Sequence, residues 1–251
     1  MRVLIITEND PIYIYKFFSL FLNKIDAKKI DLVGISVLKP FNMSIISTGL
    51  RVFNFYGKDF FLILKKYIKS KIYNKNLNSL INQKKIKLIN TNSINSEEYI
   101  NKITKLNIDL IVSVACPEIL KSKIINIPKI CALNVHCGKL PNYRGMMPTF
   151  WQMLKKEKYI TITIHEIIEQ LDLGEIVEEM KFPLRKIDSL DRVMSGTKEE
   201  SARLLIKVLN SISETKKKPK TFPLDLSKSK LFRFPSKKDV REFRKIGHRL
   251  I

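Results

Sequence analysis

Asn134-Val135-His136 closes an apolar run and is followed by Lys139-Leu140-Pro141-Asn142-Tyr143-Arg144-Gly145. In a strand, residues two apart point to the same face, so Asn134 and His136 project together off the strand's end. An amide donor beside a titratable imidazole suits the holding of a developing oxyanion and the movement of a proton. Leu171-Asp172-Leu173-Gly174 then places a carboxylate in a glycine-containing turn ahead of another apolar segment. A carboxylate near an imidazole favours its charged form, which stabilises negative charge best. Taken singly, Asn134 reads better as a turn residue and His136 as a satisfied core imidazole than as catalytic groups. Cys137 adjoins His136, but neighbouring strand residues face opposite ways, so a Cys-His nucleophile is not expected.

The elements that must carry these residues alternate between strand and helix, the pattern of an α/β sheet protein. Residues 3–7 read as a buried first strand, 13–22 as a helix with an apolar stripe, and 31–38 as a second strand. Strands are also expected at 85–90, 109–115, 131–137, 161–167 and 175–180, with a helix opening at Ser96. The run 109–115 is apolar throughout, as in a central strand buried on both faces. Thr197-Lys198-Glu199-Glu200 has a capping-box pattern, and Ala202, Leu205, Val208, Leu209 and Ile212 repeat at helical spacing behind it. This helix is expected to close a sheet domain of residues 1–212. Residues 40–82 interleave Phe53, Phe55, Tyr56, Phe60, Phe61, Tyr67 and Tyr73 with Lys65, Lys66, Lys69 and Lys71. They read as a helical insertion that covers the sheet or forms a dimer contact, or else as a surface for anionic membrane or bases. Residues 213–251 form a basic tail, in which Ser236-x-x-Asp239 caps a short helix bearing Val240, Phe243, Ile246 and Leu250; its Lys and Arg residues are expected to be solvated.

At 251 residues, with 45% apolar and 28% charged side chains, the chain is long enough for a real core and too apolar for disorder. Its three cysteines, Cys116, Cys131 and Cys137, have neither disulfide-framework nor zinc-ribbon spacing, and no metal is expected. No secretory segment and no long apolar span stands out, so the default expectation is cytoplasmic. The formal charge of +22 lies mainly in Lys, in a chain also heavy in Ile and Asn, as an AT-rich coding sequence produces. Such a surface also draws anions: a small anionic substrate, RNA or an anionic membrane. Neither G-x-G-x-x-G nor G-x-x-x-x-G-K-[ST] occurs, so the nicotinamide and P-loop readings lack their phosphate cradles.

The order Asn134-Val135-His136, Leu140-Pro141, Tyr143-Arg144-Gly145, Pro148, Thr163-Ile164-His165 and Asp172-Leu173-Gly174-Glu175-Ile176-Val177 resembles the formyltransferases that use 10-formyltetrahydrofolate. The family includes purine-pathway, methionyl-tRNA and amino-sugar enzymes, and the resemblance is good over residues 105–184. It implies a Rossmann-like, mostly parallel sheet flanked by helices, with 10-formyltetrahydrofolate as cosubstrate and no metal. It further implies that Asn134 donates to the oxyanion, that His136 polarises it and relays protons, and that Asp172 orients His136 or accepts the proton through water. His165 reads as a structural partner beside the site. The pterin would lie against backbone of the loops at Leu120 and at Gln170-Leu171. The loop with Lys139, Tyr143, Arg144 and Gly145 would face the acceptor, and Met146 and Met147 either shape that pocket or pack. Cys137 and Gly138 depart from the residues commoner after the histidine, and Lys139 is unusual before Leu-Pro.

Within the resemblance, the tail is too short for the second domain of methionyl-tRNA enzymes, and purine enzymes usually lack an insertion like 40–82. A nucleotide-linked amino sugar is therefore the favoured acceptor, with a homodimer admitted. Methionyl-tRNA or glycinamide ribonucleotide formylation, hydrolysis of formyltetrahydrofolate, and a non-catalytic basic protein for nucleic acid or membrane remain open alternatives.

Overall fold

The computed structural model describes every residue except Pro11. A six-stranded sheet runs through the molecule in the order β2-β1-β3-β4-β6-β7. These strands are β1 (Arg2–Glu8), β2 (Asp31–Leu38), β3 (Leu110–Val114), β4 (Cys131–His136), β6 (Tyr159–Glu166) and β7 (Ile176–Pro183). The first four are parallel; β6 runs antiparallel to both of its neighbours. All five residues of β3 are buried. A continuous apolar strand of this kind requires cover on both faces, and helices supply it.

Alternation along β1 sorts the cover. Val3 and Ile5 pack with Phe17, Phe18 and Phe21 of α1 (Ile14–Lys24), with α4 (Leu77–Gln83), and with Leu205 and Leu209 of α8 (Leu190–Thr215). Leu4 and Ile6 face the other way, onto Tyr99 and Ile103 of α5 (Glu97–Thr104) and Ile124 of α6 (Ser122–Ile125). A third cluster lies at one end of the molecule. There α2 (Ile45–Tyr56), α3 (Phe60–Ile72), α7 (Pro148–Leu154) and α9 (Lys237–Lys245) join around Phe55, Ile63, Phe150, Trp151, Val240 and Phe243.

The strand order reverses beside β1: β2 lies to one side and β3 to the other. Ligands of open α/β sheets bind in the crevice beyond the strand ends at such a switch point.

Two expectations about element boundaries are overturned. Residues 85–90 form no strand. Their pairing is the isolated bridge Ile35–Leu88, made by Ile35 N–H to the Lys87 carbonyl and Ile89 N–H to the Ile35 carbonyl. Only Ile89 of this lysine-rich stretch is driven fully inward, so the edge of β2 is touched rather than extended. The closing helix starts at Leu190, not at Thr197. Ser189 caps it by accepting from Arg192 N–H, and Leu190 and Val193 already bury the same face. Thr197 is interior, its hydroxyl turned back to the Met194 carbonyl.

The tail is tied into the fold. Ser236 and Asp239 form the capping box of α9, and Phe243 stacks on Phe150 at 4.7 Å between ring centres. Arg244 is not solvated as expected: it donates to the Tyr56 carbonyl and to Asp59, at the junction of α2 and α3 within the insertion. Two short strands, β5 (Arg144–Gly145) and β8 (Leu231–Phe232), pair the tail with the loop that follows His136. Phe243 is fully buried, so Phe243→Ala is expected to lower the unfolding free energy by about 3–5 kcal/mol, measured by urea denaturation.

Candidate active site

At the crevice, the β4–β6 pairing sets Asn134 opposite His165 and His136 opposite Thr163. Residues opposite one another share a face, so all four side chains lie on the side that also carries Ile111 and Ser113 of β3. His165 Nδ1–H donates to the Glu166 carbonyl at 2.7 Å. A neutral imidazole with its proton there presents a lone pair at Nε2, and Asn134 Nδ2–H donates to that lone pair at 3.1 Å. The Asn134 amide is thereby oriented. Burial is the main force pushing the His165 pKa down, to about 4; the Asp172 carboxylate opposes it and His136 adds to it. His165 is thus a neutral acceptor at pH 7.

His136 is held from its other end. Its Nε2–H donates to the Tyr143 carbonyl at 2.7 Å, so in the neutral ring Nδ1 is the unprotonated nitrogen. Nδ1 lies 3.9 Å from Asp172 Oδ1, and His165 Nε2 lies 3.7 Å from the same oxygen. These separations are too long for hydrogen bonds and short enough for strong Coulombic interaction with a protonated ring. Asp172 is buried, in left-handed backbone at φ 52°, a conformation that Asp tolerates better than most residues. Its Oδ2 accepts Gly145 N–H at 2.7 Å. Asn134, His136 and Asp172 therefore converge on one place in the fold.

The expected acceptor loop reaches the site through its backbone. Tyr143 contributes its carbonyl, while its ring is buried on Phe232 and its hydroxyl donates to Glu157. Arg144 spans from the Leu171 carbonyl to Ser229, and Lys139 is exposed. Of these four, only Gly145 lines the cleft, together with Met146 and Met147. Gly138 explains one departure noted in the sequence: a β-carbon there would sit 2.5 Å from His136 Nε2 and 2.7 Å from Pro148 Cβ. Cys137 places its Sγ 3.5 Å from the Ser201 hydroxyl of α8.

Asn134, His136, His165 and Asp172 line a cleft of about 530 Å³. Leu120 is buried in its wall, and Gln170 and Leu171 are exposed at its rim. The cleft also contains Glu8, the last residue of β1, and Asp10 just beyond it, with Phe41, Arg51 and Lys198. These were not singled out from sequence, although charged residues at the carboxyl end of the first strand of an α/β sheet occupy a ligand-binding position. Burial, with help from Asp10, raises the Glu8 pKa to about 7; Phe41 N–H, which donates to Glu8 at 3.0 Å, and Lys198 pull the other way. Burial likewise raises Asp10, whose Oδ1 accepts Ile12 N–H and Tyr13 N–H.

Known proteins bear on this arrangement. Residues 64–209 match the family described as Formyl transferase, more than half of the chain. The chain belongs to that family. Among its sequence relatives, a methionyl-tRNA formyltransferase of Sulfurihydrogenibium sp. is 39% identical over 127 residues, which is 50% of this chain and 41% of that protein. The chain thus spans less than half the length of that curated relative. Among solved structures, a sugar N-formyltransferase from Shewanella sp. aligns over 98% of this chain and 87% of its own, with a TM-score of 0.59 and 22% identity. An N-formyltransferase from Helicobacter canadensis, determined in complex with folinic acid and dTDP-3-aminofucose, aligns over 92% and 70% with a TM-score of 0.56 and 16% identity. At these identities the structural likeness establishes a shared fold.

A carboxyl group that binds its proton more tightly when folded makes the protein less stable as pH rises, here between about 4.5 and 7. His165 contributes the opposite slope between 4 and 6.5, so the variant-minus-wild-type difference is the informative quantity. Glu8→Gln is expected to match wild type below pH 4.5 and to become more stable by on the order of 3 kcal/mol above pH 7, by urea titration at each pH.

Proposed function

We propose that this chain transfers a formyl group from 10-formyltetrahydrofolate to a primary amine, and that the amine belongs to a nucleotide-linked amino sugar. The observation that carries the transfer reaction is the Asn134, His136 and Asp172 cluster, with its hydrogen-bond directions set, in the wall of an open cleft.

In this reading the amine nitrogen attacks the formyl carbon, a carbon–nitrogen bond forms, and the carbonyl oxygen becomes an oxyanion. Asn134 has one N–H committed to His165, leaving its second to donate to that oxygen. His136 Nδ1, the free nitrogen of its ring, takes the proton that the attacking amine sheds. Its positive charge then lies 3.9 Å from Asp172 Oδ1, which stabilises it without competing for the proton through a direct hydrogen bond. The carbon–N10 bond of the folate breaks, N10 receives a proton, and tetrahydrofolate leaves with the formamide formed. The pterin is assigned to the wall at Leu120, Gln170 and Leu171, and the acceptor to the side bearing Glu8, Asp10, Arg51 and Lys198. Carboxylates attract an ammonium, and the two cations suit an anionic carrier.

The sugar acceptor is supported by the Shewanella and Helicobacter proteins, whose alignments extend over 98% and 92% of the chain. A second reading, formylation of methionyl-tRNA, is favoured by the sequence relative and by a charge of +22. A panel separates them: the protein is incubated with 10-formyltetrahydrofolate and either nucleotide amino sugars or methionyl-tRNA, and each acceptor is weighed for one added formyl group. Transfer to a nucleotide amino sugar is expected; transfer to methionyl-tRNA alone would replace that part of the proposal. Asn134→Ala and His136→Ala are each expected to reduce kcat/KM about a hundredfold or more without altering the fold. Undiminished turnover in both variants would remove the assignment of these residues.

A further inference from the structure

The insertion leaves an apolar and basic surface that the site does not use. Ile45 is 92% exposed, Ile46 78%, Phe61 75% and Ile72 68%, and Leu50, Phe53, Leu62 and Ile68 are about half exposed or more. They form continuous stripes. On α2 the exposed positions recur near every fourth residue, and on α3 Phe61, Lys65, Ile68 and Ile72 follow one helix face. The helices are joined by an aromatic contact from Phe53 to Phe60 (5.2 Å), and within α3 Phe60 meets Phe61 edge-on (5.9 Å). The opposite sides, with Phe55, Tyr56 and Ile63, are buried in the third core cluster, so the helices are docked and their outer faces fixed.

Charge selects the occupant. Residues 45–75 contain seven basic side chains and one acid, Asp59, which Arg244 pairs. Of the seven, only Lys66 meets a carboxylate among the described residues. Lys58, Lys65, Lys69, Lys71 and Lys75 are exposed around the apolar stripe. A second copy of the chain, meeting this patch about a twofold axis, would set lysine against lysine. Nucleic acid would meet the lysines but leave the isoleucines and leucines without bases to stack on them. A bilayer carrying anionic lipids satisfies both: alkyl side chains enter the headgroup–acyl boundary while lysine ammonium groups snorkel to the phosphates. No helix among the described residues is long and apolar enough to cross a membrane, so such contact would lie in the interface.

We propose that the outer face of α2 and α3 is an interfacial binding surface for anionic membranes. Arg51, on α2, lines the cleft while Leu50 and Phe53 are exposed, so a docked protein holds its acceptor side close to the headgroups.

Flotation with vesicles tests this on the whole protein, independently of its enzymatic activity. Vesicles of phosphatidylcholine and phosphatidylglycerol in equal parts should bind it at least about tenfold better than pure phosphatidylcholine. Ile68→Ser with Ile72→Ser should reduce binding to the mixed vesicles about tenfold or more, with an unchanged circular dichroism spectrum and melting temperature. Lys217→Gln with Lys237→Gln and Lys238→Gln, exposed lysines in the tail, should leave binding within about threefold. Wild-type binding by the isoleucine variant, or an equal loss in the tail variant, would mean adsorption by net charge and overturn the proposal. So would a wild-type dimer that the isoleucine variant converts to monomer, or a preference for RNA over mixed vesicles that depends on the same isoleucines.

Discussion

A chain of three groups running across two antiparallel strands fixes the geometry of the candidate site. The Glu166 carbonyl accepts from His165 Nδ1–H, and His165 Nε2 accepts from Asn134. Each donor–acceptor choice forces the next, because a carbonyl cannot donate and a neutral imidazole has one proton. Burial maintains the neutral state of His165 even beside a carboxylate. A protonated His165 would present a donor to Asn134, turn the amide over, and put its oxygen where the proposed reaction uses an N–H. The reversed strand β6 is what makes the chain possible, since it sets position 165 directly opposite position 134.

The rest of the molecule holds the second half of the site against this fixed half. His136 and Asp172 do not touch each other by hydrogen bonds; the loop after His136 holds both, through the Tyr143 carbonyl and Gly145 N–H. That loop is in turn held by the tail strand at Leu231–Phe232, by Arg144 to Ser229, and by the absence of a side chain at Gly138. The tail is thus part of the framework that holds the candidate site, and its anchor is the stacking of Phe243 on Phe150. Substitutions far along the sequence are coupled to imidazole geometry through a short path of backbone contacts.

Much of this was legible in the residues. The parity of Asn134 and His136 on a strand, the carboxylate in the turn at Asp172, and the helix capped at Ser236 all follow from local rules that the tertiary structure leaves intact. Where those rules failed, a longer-range effect dominated. The Lys-rich stretch 85–90 alternates like a strand but has one fully inward side chain to bury, and it supplies a single bridge. The capping pattern at Thr197 lies within an amphipathic face that begins two turns earlier, and the helix continues through it. The partnership of His165 with Asn134 depends on strand register, and the raised pKa of Glu8 depends on burial. Neither is written in local sequence.

The most direct test is nitrogen NMR of the two imidazoles, with His136→Asn and His165→Asn spectra to assign the signals. The account requires His165 to be neutral at pH 7 with its proton on Nδ1, to remain so until the pH approaches about 4, and His136 to carry its proton on Nε2. A His165 that titrates near 6.5, or that carries its neutral proton on Nε2, would contradict it.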